Sequence, residues 1–302
     1  MDTAALPDIR FTKGHGTGND FILIEDPDGS VALTPDQVAA LADRHFGIGA
    51  DGVIRVVRSA ALTDPMAVAA AQDGAEWFMD YSNADGSVAE MCGNGVRVFV
   101  HYLFENELVT GTSVVRVGTR AGVKTVTRIQ DPYHDGTAAW YSAEMGNWSF
   151  PESTDRGADA LVRIDDLDVP RAGLSVDMGN PHTVVALATD DELDGLSLVA
   201  APEVSPTPQH GTNVELIVPG ESAGEEGSLR MRVHERGVGE TQSCGTGSCA
   251  AALAARFWAG AGAPDRWRVE VPGGTVRVDV RGQEVDLAGP AALVARGEVS
   301  RA

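Results

Sequence analysis

The feature that most constrains this chain is a short unit that occurs twice: a Cys-Gly-x-Gly element directly ahead of an amphipathic run. In the first copy, Met91-Cys92-Gly93-Asn94-Gly95-Val96 leads into apolar residues at Val96, Phe99, Val100, Leu103 and Phe104. In the second, Ser243-Cys244-Gly245-Thr246-Gly247-Ser248 leads into Ala250, Leu253, Ala254, Phe257 and Trp258. Both apolar sets follow the i, i+3, i+4, i+7, i+8 spacing of a helix with a core-facing stripe. Each copy follows a strand-like stretch, Trp77 to Tyr81 in one case and the alternating Leu229 to Val233 in the other. A repeated strand, cysteine and helix unit predicts two related domains joined by a pseudo-twofold axis.

The position of the cysteines carries chemistry. A helix start leaves backbone N–H groups outside the intrahelical ladder and holds partial positive charge. A thiolate there is stabilised, which makes the cysteine a competent base near neutral pH. The flanking glycines let a ligand approach the backbone, and the N–H groups can hold a carboxylate. Two such starts facing one substrate could take a proton from one face of a carbon and return one to the other. They could also stabilise the negative charge that develops between those steps. One copy by itself reads as a buried cysteine with turn glycines; it is the repetition that points to catalysis.

Composition narrows the partners. The chain of 302 residues exceeds the usual single-domain range, so two domains are expected. Its 44 acidic against 23 basic residues give a net charge of −21, which repels phosphate backbones and anionic lipid. Neither nucleic acid nor membrane is an expected partner. No secretory leader or membrane-length apolar run stands out, so a cytoplasmic location is expected. Three cysteines in such a chain do not make a disulfide framework. Cys244 and Cys249 lack zinc-knuckle spacing, and no metal site is expected; Cys249 reads as core.

Strand signals dominate elsewhere, at Phe21 to Ile24, Val114 to Val117, Val123 to Ile129 and Asn213 to Val218. Trp267 to Val271 and Val276 to Val280 read as a hairpin across Pro272-Gly273-Gly274. Many short strands with one long apolar helix in each half suit a sheet curled around a helix. A turn-rich linker is expected at residues 131–136, and a polar surface loop at 151–159.

Further motifs run through the chain in order: Lys13-Gly14-His15-Gly16-Thr17-Gly18-Asn19-Asp20-Phe21, Gly47-Ile48-Gly49-Ala50-Asp51-Gly52, Asn83-Ala84-Asp85-Gly86-Ser87 and Gly179-Asn180-Pro181-His182. Gly211-Thr212-Asn213-Val214 and Glu235-Arg236-Gly237-Val238-Gly239-Glu240-Thr241 precede the second cysteine. Taken singly, Gly-Asn-Pro-His is a turn with a structural histidine, Asn-Ala-Asp-Gly a loop, and Glu235-Arg236 a solvated surface pair. Together with the two cysteine units, they resemble the diaminopimelate epimerases over essentially the whole chain.

The resemblance implies an α+β fold of two pseudo-symmetric domains, each a barrel-like mixed sheet around a central helix, with the active site in the cleft. On that pattern the first domain is 1–136, completed by 290–302, and the second is 137–289. It implies that Cys92 and Cys244 are the acid/base pair, working without a cofactor, and that Gly93, Asn94, Gly245 and Thr246 hold the reacting carboxylate. The substrate is then a small molecule with two amino-acid heads, whose far head is clamped by Asn19, Asn83, Asn180, Asn213, Glu235 and Arg236. The side chains suit that role: Arg236 can pair bidentately with a carboxylate, and asparagines offer donor and acceptor together. His182 and Glu235 are implied to adjust the thiol pKa values. A homodimer is a further expectation from the family.

One departure is visible: many members carry Gln where this chain has Gly52, so no binding role is expected there. The nearest rival is a proline racemase or hydroxyproline epimerase, which typically has His after the first Cys-Gly and needs no distal clamp. Asn94, Arg236 and the asparagine set favour the diaminopimelate reading. A non-catalytic binding member and a thiol redox sensor are further rivals. Retention of both cysteines argues against the first, and a disulfide between them reads as a liability of the mechanism.

Overall fold

The computed structural model describes residues 8–134, 136, 138–151 and 157–299. Two compact units emerge, residues 1–143 with 290–302, and residues 144–289. The break falls inside a strand and not in the turn-rich stretch 131–136, because pairing carries the chain across it. Asp135, and residues 152–156 of the expected loop, lie outside the described residues.

The first unit contains β1 (Ile9–Gly16), β2 (Asn19–Glu25), α1 (Pro35–Ala42), β3 (Gly52–Arg58), α2 (Pro65–Gln72), β4 (Trp77–Asn83), α3 (Gly93–Glu105), β5 (Val114–Thr119), β6 (Gly122–Ile129) and β7 (Ala139–Asn147). The second contains β8 (Ala160–Arg163), β9 (Arg171–Asp177), β10 (Pro181–Ala186), α4 (Asp190–Asp194), β11 (Glu203–Ser205), β12 (Asn213–Pro219), β13 (Glu226–Glu235), β14 (Gly239–Thr241), α5 (Gly245–Ala259), β15 (Arg266–Val271) and β16 (Gly274–Arg281). The last strand, β17 (Glu284–Val299), serves both units.

Neighbouring strands in the first unit run β17-β1-β2-β3-β4-β5-β6-β7, and β7 pairs with β17 to close a barrel. Within it β2 with β3 and β4 with β5 are parallel, and the others for which a register is resolved are antiparallel. In the second unit the order is β8-β9-β10-β12-β13-β15-β16-β17, with β10–β12 and β13–β15 parallel. The succession of antiparallel and parallel neighbours is the same in both. In each unit the long helix lies in the connection between the two strands of the second parallel pair, β4 to β5 in one case and β13 to β15 in the other. The duplication read from two short motifs therefore extends to the topology of both halves.

Each long helix is enclosed by its sheet. In α3 every residue from Gly93 to Leu103 is buried, including Arg97 and Tyr102, and in α5 so are Gly245 and Gly247 to Ala255. The periodicity marked one face of each helix, and the structure buries nearly all of it, because a barrel surrounds the helix on every side. Alanines at 250–252, 254 and 255 keep α5 thin enough to fit. At its end Phe257 is partly exposed and packs on Phe150, with ring centroids 5.0 Å apart. The predicted hairpin forms, with Val271 opposite Gly274. No helix among the described residues is long and apolar enough to cross a membrane.

Candidate active site

Both cysteines cap their helices in the same way. Cys92 has extended backbone angles (φ −135°, ψ 125°), and its Sγ accepts from Gly95 N at 3.4 Å. Cys244 (φ −113°, ψ 118°) accepts from Gly247 N, also at 3.4 Å. A sulfur thus takes the place that a Ser or Asp oxygen usually fills at a helix start. The next N–H in each case donates to the carbonyl of the cysteine itself, at 2.9 Å. Gly93 and Asn94, like Gly245 and Thr246, therefore head their helices where the ladder offers their N–H groups no acceptor. None of the three cysteines is in a disulfide, and Cys249 is wholly buried in α5.

In the first unit Cys92 is half-buried, and its Sγ lies 3.5 Å from Asn19 Oδ1, which also accepts from Asn94 Nδ2 at 3.2 Å. The amide of Asn19 is oriented by Asp51, whose carboxylate accepts from Asn19 Nδ2 at 2.7 Å. Asp51 also accepts from Asp20 N at 3.0 Å and from Arg44 at 2.7 Å. Asp20 itself pairs with Lys13 at 2.6 Å and with Arg44 at 2.8 Å. Burial works to raise its carboxyl, but the hydrogen bonds from Arg44 and Lys13 prevail and hold it at about 2. Below the cysteine, the fully buried Arg97 donates to Gly93 O at 3.2 Å and Asn94 Oδ1 at 2.8 Å, fixing the first turn. Asn83 pairs with Gly52 beside Asp51, and its amide donates to Ser87 Oγ at 3.0 Å.

The Gly52 departure has a local cause. A Cβ at this position would stand 2.4 Å from the Tyr81 ring and 2.7 Å from Ser82 O. Tyr81 fills that space and packs edge-on against Phe21, so a side chain at residue 52 would have to displace that ring and the β4 backbone.

The second unit builds a more acidic site. His182 on β10 and Glu215 on β12 meet at 2.7 Å, with both side chains fully buried. The other ring nitrogen of His182 lies 3.0 Å from Asn180 Oδ1, and the Asn180 amide donates to Thr246 Oγ1 at 3.4 Å. Asn213 ties two segments together: its Nδ2 donates to Pro181 O at 2.9 Å, and its Oδ1 accepts from Arg236 N at 3.0 Å. Glu235 accepts hydrogen bonds from Thr241 and Cys244; burial nevertheless pushes its carboxyl above the usual range, and Glu215 adds to the rise. A Cβ on Gly247 would stand 2.7 Å from Glu215 Oε1 and 3.2 Å from Cys244 Sγ, so glycine lets the carboxylate reach the helix start. Burial, with Glu235 and Glu215 nearby, pushes the Cys244 thiol well above its usual range, against weaker pulls from Thr246 and the Gly247 N–H.

The structure thus brings Cys92, Asn19 and Asn94 together in one unit, and Cys244, Thr246, Asn180, His182 and Glu235 in the other. Arg236 joins the second group only through its backbone. Its guanidinium donates to His210 O at 2.6 Å. Sequence reasoning missed Asp51, Arg97 and Glu215. Glu215 had a readable signal, as a lone acid in the apolar run Val214 to Val218, two residues from Asn213 and hence on the same strand face.

A family model described as diaminopimelate epimerase matches residues 11–147 and 174–300. The diaminopimelate epimerase of Rhodococcus opacus (strain B4) is 46% identical over 297 residues, covering 96% of this chain and 97% of that protein. That of Thermobifida fusca (strain YX) is 46% identical over 295 residues, covering 96% and 98%. Among solved structures, a PhzF-family phenazine biosynthesis protein from Bacillus anthracis aligns with a TM-score of 0.67 at 17% identity, covering 98% of this chain and all of that one. A hydroxyproline epimerase from Agrobacterium vitis aligns at 0.58 and 15% identity, covering 98% and 92%. These two likenesses concern the fold.

Fold and site together define an isomerase of the two-domain epimerase and racemase architecture, with a cysteine at the head of each central helix. More narrowly, the chain belongs to the diaminopimelate epimerase family.

Proposed function

We propose that this enzyme interconverts L,L- and meso-diaminopimelate, in lysine and cell-wall precursor synthesis, by a two-base mechanism needing no cofactor. The observation that carries the reading is the pair of cysteine-capped helices, alike in cap geometry and in the strand pattern around them. One cysteine, as thiolate, takes the α-proton from one face of the substrate. The other, as thiol, gives a proton to the opposite face, so protons balance and the two thiols exchange roles in each turnover. The N–H groups of Gly93, Asn94, Gly245 and Thr246 hold the α-carboxylate and stabilise the charge that accumulates on it. Asn19, Asn83, Asn180, Asn213, Glu235 and Arg236 receive the distal amino-acid head, while His182 and Glu235 set the state of Cys244. The burial and acidic neighbours of Cys244 support its resting as the thiol, the proton donor of the pair. A homodimer in the cytoplasm completes the proposal.

The test is incubation of the reduced enzyme with L,L-diaminopimelate in D2O. Deuterium at one Cα and appearance of the meso form are expected, and both should be lost in Cys92→Ala and in Cys244→Ala. Exchange with proline and none with diaminopimelate would transfer the assignment to the ring-substrate relatives. Inversion at near wild-type rate in either single mutant would refute the two-base mechanism.

A further inference from the structure

A side-chain amide has a donor end and an acceptor end, and partners that can only donate or only accept fix which way it points. Asn19 and Asn94 stand in a chain closed by such partners at both ends. At one end the carboxylate of Asp51, which only accepts, takes a hydrogen bond from Asn19 Nδ2 at 2.7 Å. At the other, the buried guanidinium of Arg97, which only donates, gives one to Asn94 Oδ1 at 2.8 Å. Asn94 Nδ2 then donates to Asn19 Oδ1 at 3.2 Å, so each link joins a donor to an acceptor. The polarity of both amides is thereby set, with the Asn19 oxygen 3.5 Å from Cys92 Sγ.

The backbone makes the Asp51 end rigid. Asp51 N donates to Asp20 O at 2.9 Å, and Ala84 N donates to Asp51 O at 3.0 Å. The next residue, Gly52, begins β3 in parallel register with Phe21 of β2. Asp51 Oδ2 also accepts from Asp20 N, and Oδ1 accepts from Arg44, which leaves the carboxylate little freedom to turn. The charged neighbours at this end are Arg44, Asp20 and Lys13, with Arg97 at the other. His15 lies opposite Asp20 in the β1–β2 register, and Glu90, two residues before Cys92, is exposed.

Cys92 Sγ therefore has two neighbours with opposite demands. The N–H of Gly95 favours the thiolate, and the Asn19 oxygen accepts the S–H of the thiol. Given the acid/base role proposed for Cys92, we propose that Asp51 is its positioning residue: acting through Asn19, it keeps a carbonyl oxygen at the sulfur, which holds the proton while this cysteine is the acid. Without Asp51 the Asn19 amide is free to swing away, and the thiol loses its acceptor. Cys244 has the matching N–H at Gly247 but a carboxylate, Glu235, in place of the amide oxygen, so the two units hold their thiol protons by different means.

The test is alkylation of Cys92 by iodoacetamide across pH, read by peptide mass in a full-length Cys244→Ala background. It needs no substrate, so its result is independent of whether diaminopimelate is the substrate. Asn19→Ala should lower the midpoint by about half a unit to one unit, as loss of one hydrogen bond to the protonated form does. Asp51→Asn, close to isosteric, should lower it similarly; a thermal melt checks its fold, and Asp51→Ala is read in its place if it melts early. Asp51→Asn combined with Asn19→Ala should move the midpoint no further than Asn19→Ala alone, because both act through one contact. In the two-cysteine enzyme Asp51→Asn should slow epimerisation about tenfold. Equal shifts from Asp51→Asn with and without Asn19 would overturn the proposal, since the carboxylate would then act by charge through space. So would an unmoved midpoint, or wild-type turnover, in the folded Asp51→Asn variant.

Discussion

Replacing Glu215 by Gln should free the Cys244 thiol to ionise at lower pH. Glu215 Oε1 and Cys244 Sγ both lie close to the point where a Gly247 Cβ would stand, at 2.7 and 3.2 Å, so they are within about 6 Å of each other. At an effective dielectric of about 20, a unit charge at that distance opposes a thiolate by about 3 kcal/mol, or about two pKa units. His182, 2.7 Å from the same carboxylate, shares its charge and reduces the expected effect to about 1–2 units. The assay is alkylation of Cys244 by iodoacetamide as a function of pH, followed by mass spectrometry in a Cys92→Ala background. Cys249 is fully buried and does not compete. The Glu215→Gln midpoint should fall by about 1–2 units, with the melting curve confirming a folded protein. A midpoint that stays in place or rises would refute the argument that carboxylates hold Cys244 as a thiol.

Other outcomes follow from particular contacts. In the wild type at neutral pH, Cys92 should alkylate faster than Cys244, because it is half-exposed and Cys244 is buried under two carboxylates; the reverse order, read from peptide masses, would contradict the charge arrangement. Gly52→Ala should lower stability by about 1–3 kcal/mol in urea unfolding, since its Cβ meets the Tyr81 ring and a backbone carbonyl; an unchanged midpoint would mean that β3 can yield there. Asp20, held at about 2 against a reference of 3.8, contributes stability above the higher value that disappears as pH falls through the lower. Asp20→Asn should therefore flatten the acid limb of the unfolding curve between those values, by at most about 2 kcal/mol after solvent screening; an acid limb as steep as wild type would remove Asp20 from the account. Arg55 joins the buried Asp26 to Asp80, and Arg55→Met should cost about 3–5 kcal/mol by leaving the buried Asp26 without its cation and Asp80 with Arg120 alone; a loss below about 1 kcal/mol in the same assay would show that water reaches Asp26.

How legible the site was depended on whether its parts are local. The cap at Cys92 and Cys244 needs a residue with a side-chain acceptor, a helix to follow and glycine three positions on, all written within four residues. The same holds for the hairpin at residues 271–274. Asn19 and Asn94 were legible only as motif members. Their meeting depends on Asp51, which arrives from the start of β3 and turns the Asn19 amide toward the cysteine. Glu215 was overlooked because its partner, His182, lies on a different strand, and the Gly-Asn-Pro-His segment read as a turn when His182 in fact sits within β10.

What the sequence alone determined, then, is the repeated cysteine cap, the acid/base chemistry available at it, and two strand-rich halves each holding one helix. Tertiary structure decided how much of each helix is buried, because a helical period records one face and a closed barrel covers all of them. It decided that β17 serves both units, since nothing local in an extended strand says which neighbours it will have. It also decided which face of β13 each of His234 and Glu235 occupies. Adjacent residues in a strand point to opposite sides, and only the packed sheet shows that one side is the cysteine site and the other the side of the apolar cluster that Val214 joins.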